Sequence, residues 1–214
     1  MNDEIDAKAI VVTYCPLCGS GVVFERTFGE QTLSFGVSGL LYQSDVLLYD
    51  RQTQSLWSQL ESKAVTGKFI GKALASIPVE QTTWSDWKQR NPKTKVMSFN
   101  TGFDRNYARD PYRGYQNSAQ LYFPVSFRQH GLHPKEKVIA IQLDGLAKAW
   151  PFIELRKISK PIHERLGMYT IVIKYDKKND SAKILDNTGK LLPSTTLYWF
   201  AWSTFHPKTL IYGR

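Results

Sequence analysis

Short apolar runs separated by polar turns organise most of this 214-residue chain. Ala9–Tyr14 (AIVVTY) and Gly21–Glu25 (GVVFE) are β-branched and only five or six residues long, which suits strands. They flank Cys15–Ser20 and so predict a hairpin with CPLCGS at its tip. Thr32–Val37, Asp45–Tyr49 and Ser55–Leu60 repeat the pattern, with polar turns between them that include Asp50–Gln54. Lys137–Leu143 and Leu146–Trp150 read as a second hairpin, because Asp144-Gly145 is a pair that accepts positive φ at both turn positions. Thr82–Asn91 reads instead as a short helix: Thr83 can cap it, Asp86 stands three residues on, and Pro92 stops it. Asn100–Asn117, rich in Gly, Arg, Asp and Tyr, shows neither period and predicts a long ordered loop or lid. The expected class is α+β, predominantly antiparallel β.

The chain also matches itself. Trp84-Ser-Asp-Trp87, four residues, then Pro92-Lys93-Thr94, has a counterpart in Trp199-Phe-Ala-Trp202, four residues, then Pro207-Lys208-Thr209. Pro78 and Pro193 each precede the first Trp by six residues, and Ala9–Tyr14 aligns with Thr170–Tyr175 (TIVIKY). Two related halves, 1–127 and 128–214, each with a hairpin and a short Trp-containing helix, are therefore expected. Trp residues three apart share a helical face, which predicts that each pair anchors its helix on a sheet.

Composition narrows the partners. At 42% hydrophobic and 22% charged residues, wholesale disorder is excluded. No apolar run reaches the ~20 residues of a membrane helix, and the polar start Met1–Lys8 shows no export signal. The net charge of +9 is uneven: 13 Lys/Arg against 12 Asp/Glu in residues 1–127, but 15 against 7 in 128–214. A basic second half can face an anionic partner or membrane surface, or simply water. Nucleic acid is disfavoured, since no recognition motif accompanies the charge.

The sharpest chemical feature is Cys15-Pro16-Leu17-Cys18-Gly19. A CxxC at a hairpin tip has the form of a metal knuckle, in which both sulfurs face one ion such as zinc. The flanking strands suit a thioredoxin-like pair poorly, since that requires a helix to start at the cysteines. A disulfide, redox exchange and a packed pair of free thiols remain open readings. As no other Cys exists, further zinc ligands must come from elsewhere; His206, beside the second Trp segment, is the first candidate and His133 the second, with His130 and His163 behind them.

A second constellation comprises Ser38-Gly39, Tyr42, Ser44-Asp45, Asp50-Arg51, Thr53, Ser55, Trp57 and Gln59. On a strand Asp45 and Asp50 fall on opposite faces, which argues against a paired-carboxylate acid/base site. Asp50–Thr53 is better suited to a turn. Arg109-Asp110, in an aromatic loop, can clamp a carboxylate or phosphate, or form an internal ion pair that pins the loop. No Gly-rich phosphate loop, G-x-S-x-G elbow or His-Glu-x-x-His helix is present.

TYCPLCGS, FGVSGLLYQSDVLLYDRQTQSLWSQL, TTWSDWKQRNP, YARDPYRGY, YFPVS, AKAWP and WFAWSTFHPKT together resemble the bacterial family known as domain of unknown function 3179, across nearly the whole chain. The chain departs from the family in carrying Gln54 where a Gly usually follows the Thr of Asp-Arg-x-Thr, and in starting at Asn2-Asp3, where the family has a His-Glu segment upstream. The resemblance implies a domain often found in exported proteins and supplies no mechanism. The residues themselves point first to a metal- or thiol-dependent binding domain using Cys15 and Cys18. The alternatives are an enzyme on a small polar or anionic substrate, held by Ser38, Tyr42, Asp45, Arg51, Trp57, Arg109 and Asp110 in a cleft between the halves, and a purely structural module.

Overall fold

The computed structural model describes residues 1–214. Five small sheets carry the chain, the smallest being the two-stranded Thr27–Phe28 and Gln31–Thr32; all pairings are antiparallel except for one terminal pairing, and there are three short helices. The first sheet orders Asn2–Ile5, Lys8–Cys15, Ser20–Glu25 and Ser76–Ile77. The second orders Phe35–Tyr42, Asp45–Asp50, Leu56–Ser58 and Lys63–Ala64. The third orders Thr195–Tyr198, Lys137–Leu143, Leu146–Pro151 and Leu210–Ile211, the last pairing in parallel. The fourth is Ile162–Leu166, Tyr169–Asp176 and Ser181–Asp186. The sequence pattern finds the two hairpins and the strands Asp45–Asp50 and Leu56–Ser58. The expected Thr32–Val37 divides between Gln31–Thr32 and Phe35–Tyr42, and Ser76–Ile77, Lys63–Ala64, Ile162–Leu166, Thr195–Tyr198, Leu210–Ile211 and the fully exposed Asn2–Ile5 are missed.

Alternating side chains fill three clusters between the sheets. Val11, Phe24, Phe35, Leu48 and Trp57 join the first sheet to the second. Cys15, Cys18, Val138, Leu197, Trp199 and Trp202 join the first to the third. Ile139, Ile141, Trp150, Ile171, Ile173 and Ile184 join the third to the fourth.

Asp50 acts through its turn. Its carboxylate accepts from Thr53 N at 2.6 Å, Thr53 Oγ1 at 2.9 Å and the Trp57 indole N–H at 3.0 Å. This closes the turn at Gln54, whose φ of 58° lies in the left-handed region where glycine is at ease. Asp50→Ala strands the buried indole donor, and urea unfolding is expected to show a loss of about 1–3 kcal/mol.

The two Trp segments share local geometry but not burial. Helices Trp84–Arg90 and Trp199–Phe205 are each seven residues long. Trp87 Nε1 donates to Thr94 Oγ1 at 3.1 Å, and Trp202 Nε1 donates to Thr209 Oγ1 at 2.8 Å. Trp199 and Trp202 are buried, as expected of anchors, whereas Trp84 and Trp87 are 48% and 36% exposed, contrary to that expectation. The first helix is attached by polar contacts instead: Thr83 to Asn179, and Arg90 to Glu80, which also meets Lys183. With an external polar tether, neither indole needs to be covered.

Candidate metal centre

The hairpin tip forms as its sequence requires. Cys15 and Ser20 close the ladder, and Gly19 turns the chain with φ of 65°. A Cβ on Gly19 would meet the Tyr198 ring at 3.0 Å, so both conformation and space call for glycine there. Tyr198 N donates to Cys18 O at 2.8 Å, fixing the tip against the third sheet.

The cysteines are reduced and buried, with 1% and 0% of their surfaces exposed. Free thiols argue against a standing disulfide. Leu17, Tyr115, Trp199 and Trp202 pack in the cluster that holds them. The neighbouring second sheet adds what an apolar pocket lacks. Its turn passes through Gln43 and Ser44, both in the left-handed region, and brings the Ser44 carbonyl within 3.5 Å of Cys18 Sγ and 4.0 Å of Cys15 Sγ. The next residue, Asp45, is fully buried and has Oδ1 3.8 Å from Cys18 Sγ. One ligand atom from each of Cys15, Cys18 and Asp45 lies within 4.8 Å of the other two.

Electrostatics distinguish the three groups. Burial pushes the Asp45 carboxyl up to about 7, against the opposing hydrogen bonds from Leu60 N at 3.0 Å and Ser58 Oγ at 3.2 Å. A hydrogen bond from Cys18 lowers the Cys15 thiol despite burial, while giving that bond, together with burial, raises Cys18 well above its ordinary value. Without a cation Asp45 and Cys18 therefore hold protons that exposed groups would release more readily.

The third ligand-type group is thus Asp45 and not a histidine. His206 stacks on Trp202 with ring centroids 3.9 Å apart. The Nδ1 of His133 accepts from Lys135 N, and His130 and His163 are exposed. Of the second constellation, only Ser44 and Asp45 reach the thiols. Ser38 donates to Leu47 O and supports the bulge between Val37 and Leu41. Tyr42 lies beside Phe205, Arg51 covers the Tyr49 ring, and Trp57 is core. Arg109 and Asp110 are exposed and do not pair with each other; Asp110 Oδ1 accepts from Tyr112 N. Ser58 and the Leu60 N–H, which hold the Asp45 carboxylate, carry no sequence signal of their own. Asp45 carries one: it is an acid directly before four apolar residues in the strand DVLLYD.

A cavity of about 430 Å³ lies beyond Leu60 and Trp202, lined also by Glu61, Gln142, Thr195 and His206. Burial lowers His206 to about 4, so its imidazole is neutral at physiological pH. Arg51, Trp57, Arg109 and Asp110 do not line this space.

Fold and site together define a mostly antiparallel β protein with a closed thiol–carboxylate cluster at a hairpin tip. The chain belongs to the family described as "Protein of unknown function (DUF3179)", whose model matches residues 1–209. No curated protein and no solved structure matches it.

Proposed function

We propose that this protein is a metal-binding domain in which Cys15, Cys18 and Asp45 hold one divalent cation, zinc being the ion that suits two thiolates and a carboxylate. The observation that carries the reading is the convergence of three buried ligand atoms within 4.8 Å. Two sulfurs 2.3 Å from a tetrahedral zinc are about 3.8 Å apart, so sulfurs within 4.8 Å of each other need close by no more than about 1 Å. Burial opposes ionisation of Asp45 and Cys18, and a dication is the partner that reverses this by displacing their protons. The Ser44 carbonyl faces both sulfurs and is the nearest candidate for a fourth donor. A site with its ligands closed to solvent suits a structural ion better than a catalytic one.

Elemental analysis of the full purified chain tests this. The expected result is about one zinc per chain, falling to background in Cys15→Ser, Cys18→Ser and Asp45→Asn. A wild-type protein that takes up no zinc, or a double Cys→Ser protein that keeps it, sinks the reading. A dithiol couple is the second reading, favoured by one observation: the lowered Cys15 and raised Cys18 thiols stand beside a carboxyl that titrates near 7. Its weakness is the closure of both sulfurs to any partner. An enzyme on a small polar substrate would use the cavity beside His206.

The same reading takes the chain as two related halves, 1–127 and 128–214. Support comes from the hairpins: an eight-residue strand, a four-residue turn and a six-residue strand occur at Lys8–Glu25 and again at Tyr169–Asp186. The paired Trp-to-Thr hydrogen bonds support it further. Cys15 and Cys18 then stand opposite Asp176 and Asn179, so the centre belongs to one half alone.

A further inference from the structure

We infer that residues 84–113 form a peripheral docking surface for an anionic lipid bilayer. Within eight residues, Val96, Met97, Phe99 and Phe103 expose 67%, 73%, 80% and 73% of their surfaces. Trp84 and Trp87 stand uncovered just upstream, and the Trp87–Thr94 hydrogen bond ties their helix to the start of this run. Soluble chains seldom leave so much apolar surface together without a use for it. The burial pattern of the other Trp helix shows that this sequence can cover such residues when they serve the core.

Charge selects the occupant. Residues 84–113 carry seven Lys/Arg (Lys88, Arg90, Lys93, Lys95, Arg105, Arg109, Arg113) against Asp86, Asp104 and Asp110, a net of +4. Apart from Arg90, none of these cations is in an ion pair. Protein interfaces are depleted in lysine, whereas aromatic and long apolar side chains interleaved with Lys and Arg are the composition of a membrane-surface segment. A fluid bilayer also accepts side chains projecting from irregular backbone, such as residues 96–107, where a protein groove requires a fixed ridge. Single-stranded nucleic acid stacks on rings, and Val96 and Met97 offer it nothing. Each free cation near an anionic surface adds attraction that salt screens.

The test is co-sedimentation of the full chain with phosphatidylcholine vesicles, with and without phosphatidylglycerol. Binding is expected only to the anionic vesicles, and is released by raising the salt from about 0.1 M to about 1 M, where screening shortens from about 10 Å to about 3 Å. Phe99→Ser with Phe103→Ser is expected to weaken it about tenfold or more, and Lys93→Ser with Lys95→Ser severalfold. These side chains are exposed, so unfolding midpoints serve as a control and should not move. Absence of binding to anionic vesicles, equal binding to neutral ones, or retention by the Phe variants overturns the inference. Binding to an oligothymidylate in place of vesicles also overturns it.

Discussion

Trp202→Ala is expected to cost about 3–5 kcal/mol of stability, while Trp87→Ala costs less than about 1 kcal/mol, both measured by urea unfolding with metal removed. The pair forms a controlled comparison within one chain. Each indole sits at the fourth position of a seven-residue helix and donates to a Thr hydroxyl seven residues on. Each helix ends in a residue of the same backbone conformation, φ −129° and ψ 69° at Asn91 against φ −128° and ψ 66° at His206. Local backbone terms therefore cancel, leaving burial. Trp202 is 7% exposed and packs in the cluster that holds both cysteines, so its removal opens a cavity; Trp87 is 36% exposed and leaves mostly water behind. Equal costs for the two substitutions would show that the helices, and not their packing, set the stability.

Asp45→Asn is expected to make the metal-free protein more stable than wild type at pH 8, and to remove most of its fall in stability between pH 4 and pH 7. The sign follows from linkage. The folded carboxyl is raised from 3.8 to about 7, so over that window the folded chain binds a proton that the unfolded chain releases. Stability then declines as pH rises from about 4 to about 7 and levels off above, by on the order of a few kcal/mol. Asparagine preserves the shape and the acceptor for Leu60 N and Ser58 Oγ without the charge. Zinc reverses the order. An ion bound only by the folded state adds about 4 kcal/mol at a thousand times its dissociation constant, and only the wild type can claim it. Thermal or urea unfolding at pH 4, 6 and 8, with chelator and with zinc, reads all of these. A variant less stable than wild type at pH 8 in chelator would mean that a cation of the protein itself already compensates Asp45.

What was legible in the chain was local. Apolar runs bounded by turn residues gave the hairpins, and Thr83 caps the first Trp helix through Asp86 N. The Cys spacing gave the sulfurs. The carboxylate beside the sulfurs was not legible, because Asp45 meets Cys18 across 27 residues through a turn in left-handed backbone, and no periodicity encodes that approach. Burial of the helices was not legible either: WSDW and WFAW share a spacing, yet one helix meets its neighbours through Thr83–Asn179 and Arg90–Glu80 while the other lies in the core. The Arg109-Asp110 pairing failed for a related reason. Neighbouring side chains in an exposed loop gain little from meeting each other in water.

The hydrogen bond from Tyr198 N to Cys18 O has a consequence for the order of events in folding. It joins the Cys turn to a residue separated from it by most of the chain, and the cluster around the sulfurs takes Trp199 and Trp202 from the same late segment. During synthesis the first hairpin can zip up early, since its contacts are near in sequence, but its thiols stay uncovered until the third sheet arrives. Throughout that interval Cys15 and Cys18 are open to ions and oxidants from which the closed fold shields them. On the metal-binding reading proposed above, an ion enters most readily before the third sheet docks, and closure of the fold then slows its exchange.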